Sequence, residues 1–179
     1  NEFSGEHNEL IKSTLDTIKK RPLSMQIATN SDDRVKLATE AAKQLKDTRG
    51  PRVAVFELDG FDTHTAQGGV DGSHADELEE VNNIVTILHK NLGDAFDNTL
   101  ILTLTEFGRT IKQNGGYGTE HGYGSAILMA GGLLKKSQVY TDWPGLKKRD
   151  LFEGRDLNST LDARAVYNSA MSICFNKDP

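Results

Sequence analysis

Apolar positions recur with two different periods along this chain, and the change of period separates predicted helices from predicted strands. Leu10, Ile11, Leu15 and Ile18 fall at helical spacing until Arg21-Pro22 stops the run. Val35, Leu37, Ala38, Ala41, Ala42 and Leu45 mark a second helix that begins after Ser31-Asp32-Asp33 and is closed by Gly50-Pro51. Residues 52–58 carry Val53, Val55, Phe56 and Leu58, too apolar for simple alternation, which predicts a central strand covered on both faces. A long helix is predicted over residues 74–96, with Leu78, Val81, Ile84, Val85, Leu88 and Leu92 on one stripe. Asp76, Glu77, Glu79 and Glu80 fill its early turns, where carboxylates suit the positive end of the helix dipole.

Residues 99–105, "TLILTLT", read as a second strand and "SAILMAGG" from Ser125 as a third. After the turn-rich "YTDWPGL" a last helix is expected, capped near Ser159 or Thr160 and carrying Leu161, Ala165, Val166, Met171 and Ile173. Strand, helix, strand, loop, strand, helix is the order of an α/β domain with a largely parallel sheet covered by helices on both faces. Residues 1–50 then form a helical N-terminal segment packing on the core, and residues 51–179 form the α/β part.

Composition narrows the chemistry. The chain has 179 residues and a formal net charge of −5, which argues against a duplex nucleic-acid binder held by phosphate contacts. The longest apolar run, residues 126–134, contains two glycines and is too short to cross a bilayer. Cys174 is the only cysteine, so any metal must be held by oxygen and imidazole. The chain begins at Asn1 without a basic-then-apolar leader, as a processed piece or a fragment would.

Glycines cluster in "QGGVDG", "NGGYGTEHGYG" and "MAGG", all after predicted strand ends, where open α/β sheets place their ligand crevice. In "LDGFDTHTAQ", Asp62 and His64 stand two apart, so an extended backbone presents a carboxylate and an imidazole to one point. In "GTEHGYG", Glu120 and His121 are flanked by glycines that allow both to turn inward. Together Asp62, His64, Glu120 and His121 make an oxygen and nitrogen set suited to a divalent metal: zinc, manganese or iron. The same residues also suit a plainer use, a turn aspartate capping backbone amides beside a bonded histidine, and an ordinary polar glycine-rich loop. In "TEFGRT", Arg109 has the planar fork that grips phosphate, sulfate or carboxylate, and Glu106 is a ligand, an orienting partner for a histidine, or the salt-bridge partner of Arg109.

The ordered series "GFDTHTAQ", "TLILTLTEFGRT", "NGGYGTEHGYG", an apolar strand ending "AGG", "VYTDWPGL" and "GRDLNSTLDARAVY" resembles the C-terminal half of a bacterial exported family, the domain of unknown function 1501. That family looks related to the alkaline phosphatase and sulfatase superfamily. The resemblance implies an alkaline phosphatase/sulfatase-like fold, metal-site positions at Asp62, His64, Glu120 and His121, and export to the periplasm or beyond, commonly by a twin-arginine leader. Where the family usually carries Asp this chain has Glu120, and no histidine follows His121.

The function expected from these readings is a metal-dependent hydrolase-like module acting on an anionic small-molecule or polymer ester, a phosphate or a sulfate. In it Arg109 steadies the anionic group and Glu106 orients a ligand. The alternative is a non-catalytic exported binding or surface-assembly protein that kept the fold.

Overall fold

The computed structural model describes residues 30–175. The predicted helix over Leu10, Ile11, Leu15 and Ile18 lies outside the described residues. Helix α1, Ser31–Lys46, starts where Asn30, with φ −152°, accepts a hydrogen bond from the Asp33 amide through its side chain. Asp32 and Asp33 in its first turn and Lys43 and Lys46 in its last complement the dipole. Its buried stripe is Arg34, Ala38 and Ala42, spaced four apart. Two alanines at the contact let the next helix approach closely.

That next helix is α2, Ser73–Leu92, which offers Ile84, Leu88 and Leu92 at the same four-residue spacing. These five side chains form the core, and Leu45, Phe56, Leu58, Phe96 and Ile101 pack against it. Arg34 ties the helix pair together at one end. Its guanidinium donates to Glu77 Oε2 at 2.7 Å and to Asp59 Oδ1 at 2.6 Å, which anchors the chain three residues before Asp62.

A 3-10 turn, Gly93–Asn98, follows α2. The strands come next and are short: β1, Ile101–Leu102; β2, Gly108–Arg109; β3, His121–Gly122; β4, Met129–Ala130. β1 pairs with β4 and β2 with β3, both antiparallel. Another 3-10 turn, Lys148–Asp150, precedes helix α3, Ala163–Phe175.

This corrects the expected fold class. Among the described residues there are three helices and two two-stranded antiparallel sheets, not a largely parallel sheet covered by helices on both faces. A parallel pair needs a crossover that carries the chain back over the sheet. Between β1 and β4 the chain instead runs through loops and the β2–β3 pair, and it returns antiparallel.

Residues 52–58, expected as a central strand, belong to no sheet. Phe56 and Leu58 reach the core, but Val55 is 86% exposed and Val53 is 56% exposed. A short apolar run specifies an extended segment; only paired neighbouring strands can make it central, and among the described residues none pairs with it. The last helix also starts later than predicted. Its cap is Asp162, whose Oδ1 accepts from the Arg164 amide at 2.9 Å, rather than Ser159 or Thr160.

Candidate metal centre

The two polar loops predicted from the sequence lie side by side. Ala66 N–H donates to Gly116 O at 2.9 Å, Gln67 N–H to Tyr117 O at 2.9 Å and Thr119 N–H to Thr63 O at 3.2 Å. Two non-glycine residues at this crossing, Ala66 (φ 47°) and Tyr117 (φ 62°), take left-handed backbone. Such geometry costs of order 1 kcal/mol or more per residue and persists only where surrounding bonds over-determine it. Here the loop–loop ladder does so.

Gly118 makes the close approach possible. A Cβ at that position would stand 2.3 Å from both the carbonyl carbon and the oxygen of His64. Gly108 does the same for the β2–β3 pair, where a Cβ would meet Gly124 O at 1.8 Å. Both are needed for their missing side chains.

Within the first loop Thr63 is buried, its hydroxyl donating to Gln67 Oε1 at 3.0 Å. Asp62 and His64 therefore point together to the other side, with His64 Nε2 3.0 Å from Asp62 Oδ1. His121 comes from β3, opposite Arg109 of β2. Its ring stacks on Phe107 with centroids 3.7 Å apart and planes at 13°, so the imidazole cannot swing freely.

His121 Nε2 lies 3.0 Å from Asp62 Oδ1 and 3.2 Å from His64 Nε2. Asp62 Oδ1, His64 Nε2 and His121 Nε2 thus form a nearly equilateral triangle. Zinc bonds of about 2.0–2.2 Å to such atoms set tetrahedral ligand–ligand edges of about 3.3–3.6 Å. The triangle falls short of that by about 0.1–0.6 Å. Three ligand atoms converge, and the side chains are between 41% and 53% exposed. A closed structural site uses four protein ligands, whereas three with an open face leave room for water or substrate.

Glu120 approaches from the far side of His64, its Oε2 2.9 Å from Nδ1. It stands one step behind the triangle, on the ring nitrogen of His64 that faces away from Asp62 and His121, where a carboxylate can orient an imidazole. Arg109 turns its fork inward. It donates through Nε to Thr119 Oγ1 at 2.9 Å, through Nη2 to Thr119 O and through Nη1 to Asp62 Oδ1. It is paired with Asp62 and not with Glu106, which is exposed and makes no side-chain hydrogen bond among the described residues.

The electrostatics follow from these contacts. The Arg109 guanidinium, with His121 and His64 beside it, holds the Asp62 carboxyl below its ordinary range. Asn114, then His64 and Arg109, do the same for Glu120. Both carboxyls are ionised at neutral pH, as a ligand and its orienting partner must be.

Three residues of the site escaped the sequence reading. Asn114 donates to His64 O at 2.8 Å and to Glu120 Oε1, and accepts from the amides of Gly116 and Gly118. Thr119 links Arg109 to Gln67 Oε1, the latter at 2.7 Å. Phe107 braces His121. Only Asn114 left a signal: an Asn before Gly-Gly is the composition of an Asx turn.

Fold and site together define a small mixed domain of helices and short antiparallel strands that carries an open, three-ligand candidate metal centre on paired loops. A family model described as "Protein of unknown function (DUF1501)" matches residues 18–176, and the chain belongs to that family. No curated protein and no solved structure matches it. No helix among the described residues is long and apolar enough to cross a membrane.

Proposed function

We propose that this chain is a metal-dependent hydrolase-like module acting on phosphate or sulfate esters, as the resemblance to the alkaline phosphatase and sulfatase superfamily implies. One observation carries the metal part of the reading: Asp62 Oδ1, His64 Nε2 and His121 Nε2 lie 3.0–3.2 Å apart around one point. Zinc is the first choice of ion, with manganese or iron as alternatives, because the donors are one carboxylate oxygen and two imidazole nitrogens. A divalent ion held there supplies Lewis-acid polarisation of an ester oxygen and a lowered pKa for water.

The chain's own residues do the rest. Asp62 and the two histidines bind the ion, Glu120 orients His64, and Phe107 keeps the His121 ring in place. Arg109 orients Asp62, and the remaining N–H groups of its fork supply a donor for an anionic substrate. Glu106, expected to orient a ligand, is exposed and makes no side-chain hydrogen bond among the described residues, so it is left out of this scheme. Export to the periplasm or beyond belongs to the same reading and rests on the family resemblance alone.

A second reading, a non-catalytic exported binding or surface-assembly protein, is favoured by one feature. Glu120 stands where the family this chain resembles usually carries Asp, and the longer carboxylate moves an ion held there. Metal content tests the common part of both readings. Protein loaded with zinc or manganese and freed of excess should retain about one equivalent, lost in His121→Ala and in His64→Ala. Wild-type protein that retains none sinks the metal site. Turnover of aryl phosphate or aryl sulfate esters by the loaded protein then separates hydrolase from binder.

A further inference from the structure

We infer that residues 10–18 of this chain dock as a helix in an apolar groove on the flank of α2 that α1 leaves open. α2 carries two apolar stripes. Ile84, Leu88 and Leu92 are buried and pack with Ala38 and Ala42 of α1. Leu78, Val81 and Val85 instead line a groove against the β1–β4 pair, where Ile101, Leu128 and Met129 complete the wall. Only α2 and the chain at β1 and β4 contribute to that lining. Leu78 is left 45% exposed and Leu128 50%. An apolar groove between a helix and a sheet, open along one side, is shaped to take an amphipathic helix.

Spacing, reach and charge select the occupant. Leu78, Val81 and Val85 are separated by three residues and then four, and Ile18, Leu15 and Ile11 by the same three and four when read backwards. A helix over residues 10–18 running antiparallel to α2 therefore sets Ile18 beside Leu78, Leu15 beside Val81 and Ile11 beside Val85, since both helices rise about 1.5 Å per residue. The described chain begins beside the start of α2, where Ser31 Oγ donates to Glu80 Oε1 at 3.1 Å. Residues 19–29 span up to about 36 Å when extended, and α2 is about 10–12 Å across. The segment thus reaches the groove with its Ile18 end first. Lys19, Lys20 and Arg21 then fall near Asp76 and Glu79, the acids on either side of Leu78 along α2. So short a tether holds the segment at an effective concentration of order mM, above what a second copy reaches in dilute solution. This docking does not depend on the metal centre.

Disulfide trapping in the full chain, with Cys174→Ser to remove the native thiol, tests both the contact and its direction. Ile11→Cys with Val85→Cys should close a bridge within one chain, under mild oxidation, about 10-fold faster or more than either of two comparison pairs. In one, Ile11→Cys with Asn83→Cys, the second thiol stands on an exposed position of α2 outside the groove. In the other, Ile18→Cys with Val85→Cys, docking holds the two positions about 10 Å apart, too far to bridge. Equal rates for the three pairs overturn the docking, as does a faster Ile18 pair. Bridges that form only between chains overturn it too and assign the groove to a second copy.

Methyl-labelled wild-type protein gives a readout that needs no substitution. Cross-peaks from the methyl groups of Leu15 and Ile18 to those of Val81 and Leu78 should be present, and their relative intensity should not change on dilution. Absence of these cross-peaks overturns the inference whether or not a cysteine variant folds, and leaves the groove to a separate partner. Cross-peaks that fade on dilution overturn it in favour of the second copy.

Discussion

Replacing Gly118 by alanine should separate the two loops that make the candidate centre. The backbone there needs no left-handed geometry, so the effect is steric alone. The new methyl would stand 2.3 Å from His64 C and O and 2.5 Å from Thr63 O, all backbone atoms with no flexible end to swing aside. Ordinary carbon contacts need about 3.5 Å, so the loops must part by roughly 1 Å. The bonds that span the gap are Thr119 N–H to Thr63 O at 3.2 Å, Asn114 Nδ2 to His64 O at 2.8 Å and His64 Nδ1 to Glu120 Oε2 at 2.9 Å. Lengthened by that amount, each passes the hydrogen-bond limit. Overpacking of this kind costs about 1–3 kcal/mol, and loss of orienting contacts lowers metal affinity about 10–100-fold. The α1–α2 core does not include these loops, so the cost should be local. Competition with a chromophoric chelator measures the affinity, and amide exchange at Thr119 reports the loop contact whether or not metal is bound. Zinc affinity within threefold of wild type, together with wild-type protection at Thr119, would refute the reasoning.

Three further outcomes are expected. Leu92→Ala removes a side chain that is 1% exposed in the centre of the core, and should cost about 2–5 kcal/mol in urea unfolding with an unchanged denaturant slope. Glu77→Ala leaves the buried Arg34 guanidinium with Asp59 as its remaining carboxylate partner, and its Nε already has no hydrogen bond. It should destabilise by about 1–3 kcal/mol, while Arg34→Met with Glu77→Leu recovers part of that loss. Asp162 is held at about 2 against an ordinary 3.8 by the Arg164 side chain and then the Arg164 amide. A carboxyl lowered on folding stabilises above its unfolded pKa and loses that contribution as pH falls through its folded one. The start of α3 should therefore fray between about pH 4 and pH 2; amide shifts at Arg164 and Ala165 check this, and Asp162→Asn should abolish the titration.

The helices were legible because their signals are local. The four-residue spacing of Ala38 and Ala42 and the matching run Ile84, Leu88 and Leu92 each act within a few turns of their own chain, although the first of these helices begins at Ser31 on an Asn30 cap rather than after Asp33. Asp62 and His64 could be paired for the same reason, since neighbours two apart share a side wherever the backbone is extended. The sheet could not be read this way. Residues 52–58 and 99–105 have the composition of strands, but whether a strand is central depends on what pairs with it, and pairing is a property of distant chain.

The site divides along the same line. Residue type alone excluded a site built from several thiolates, because Cys174 has no second thiol to join it, and left carboxylate and imidazole as the abundant donors. Which of the four candidates meet around one point, that Glu120 stands behind His64, and that Arg109 holds Asp62 were decided only when residues 62–67 came to lie against residues 109–121. Those contacts join positions 47 to 59 residues apart. Hydrogen-bond direction is set by the partner across the gap, and no pattern along one loop records what the other will present.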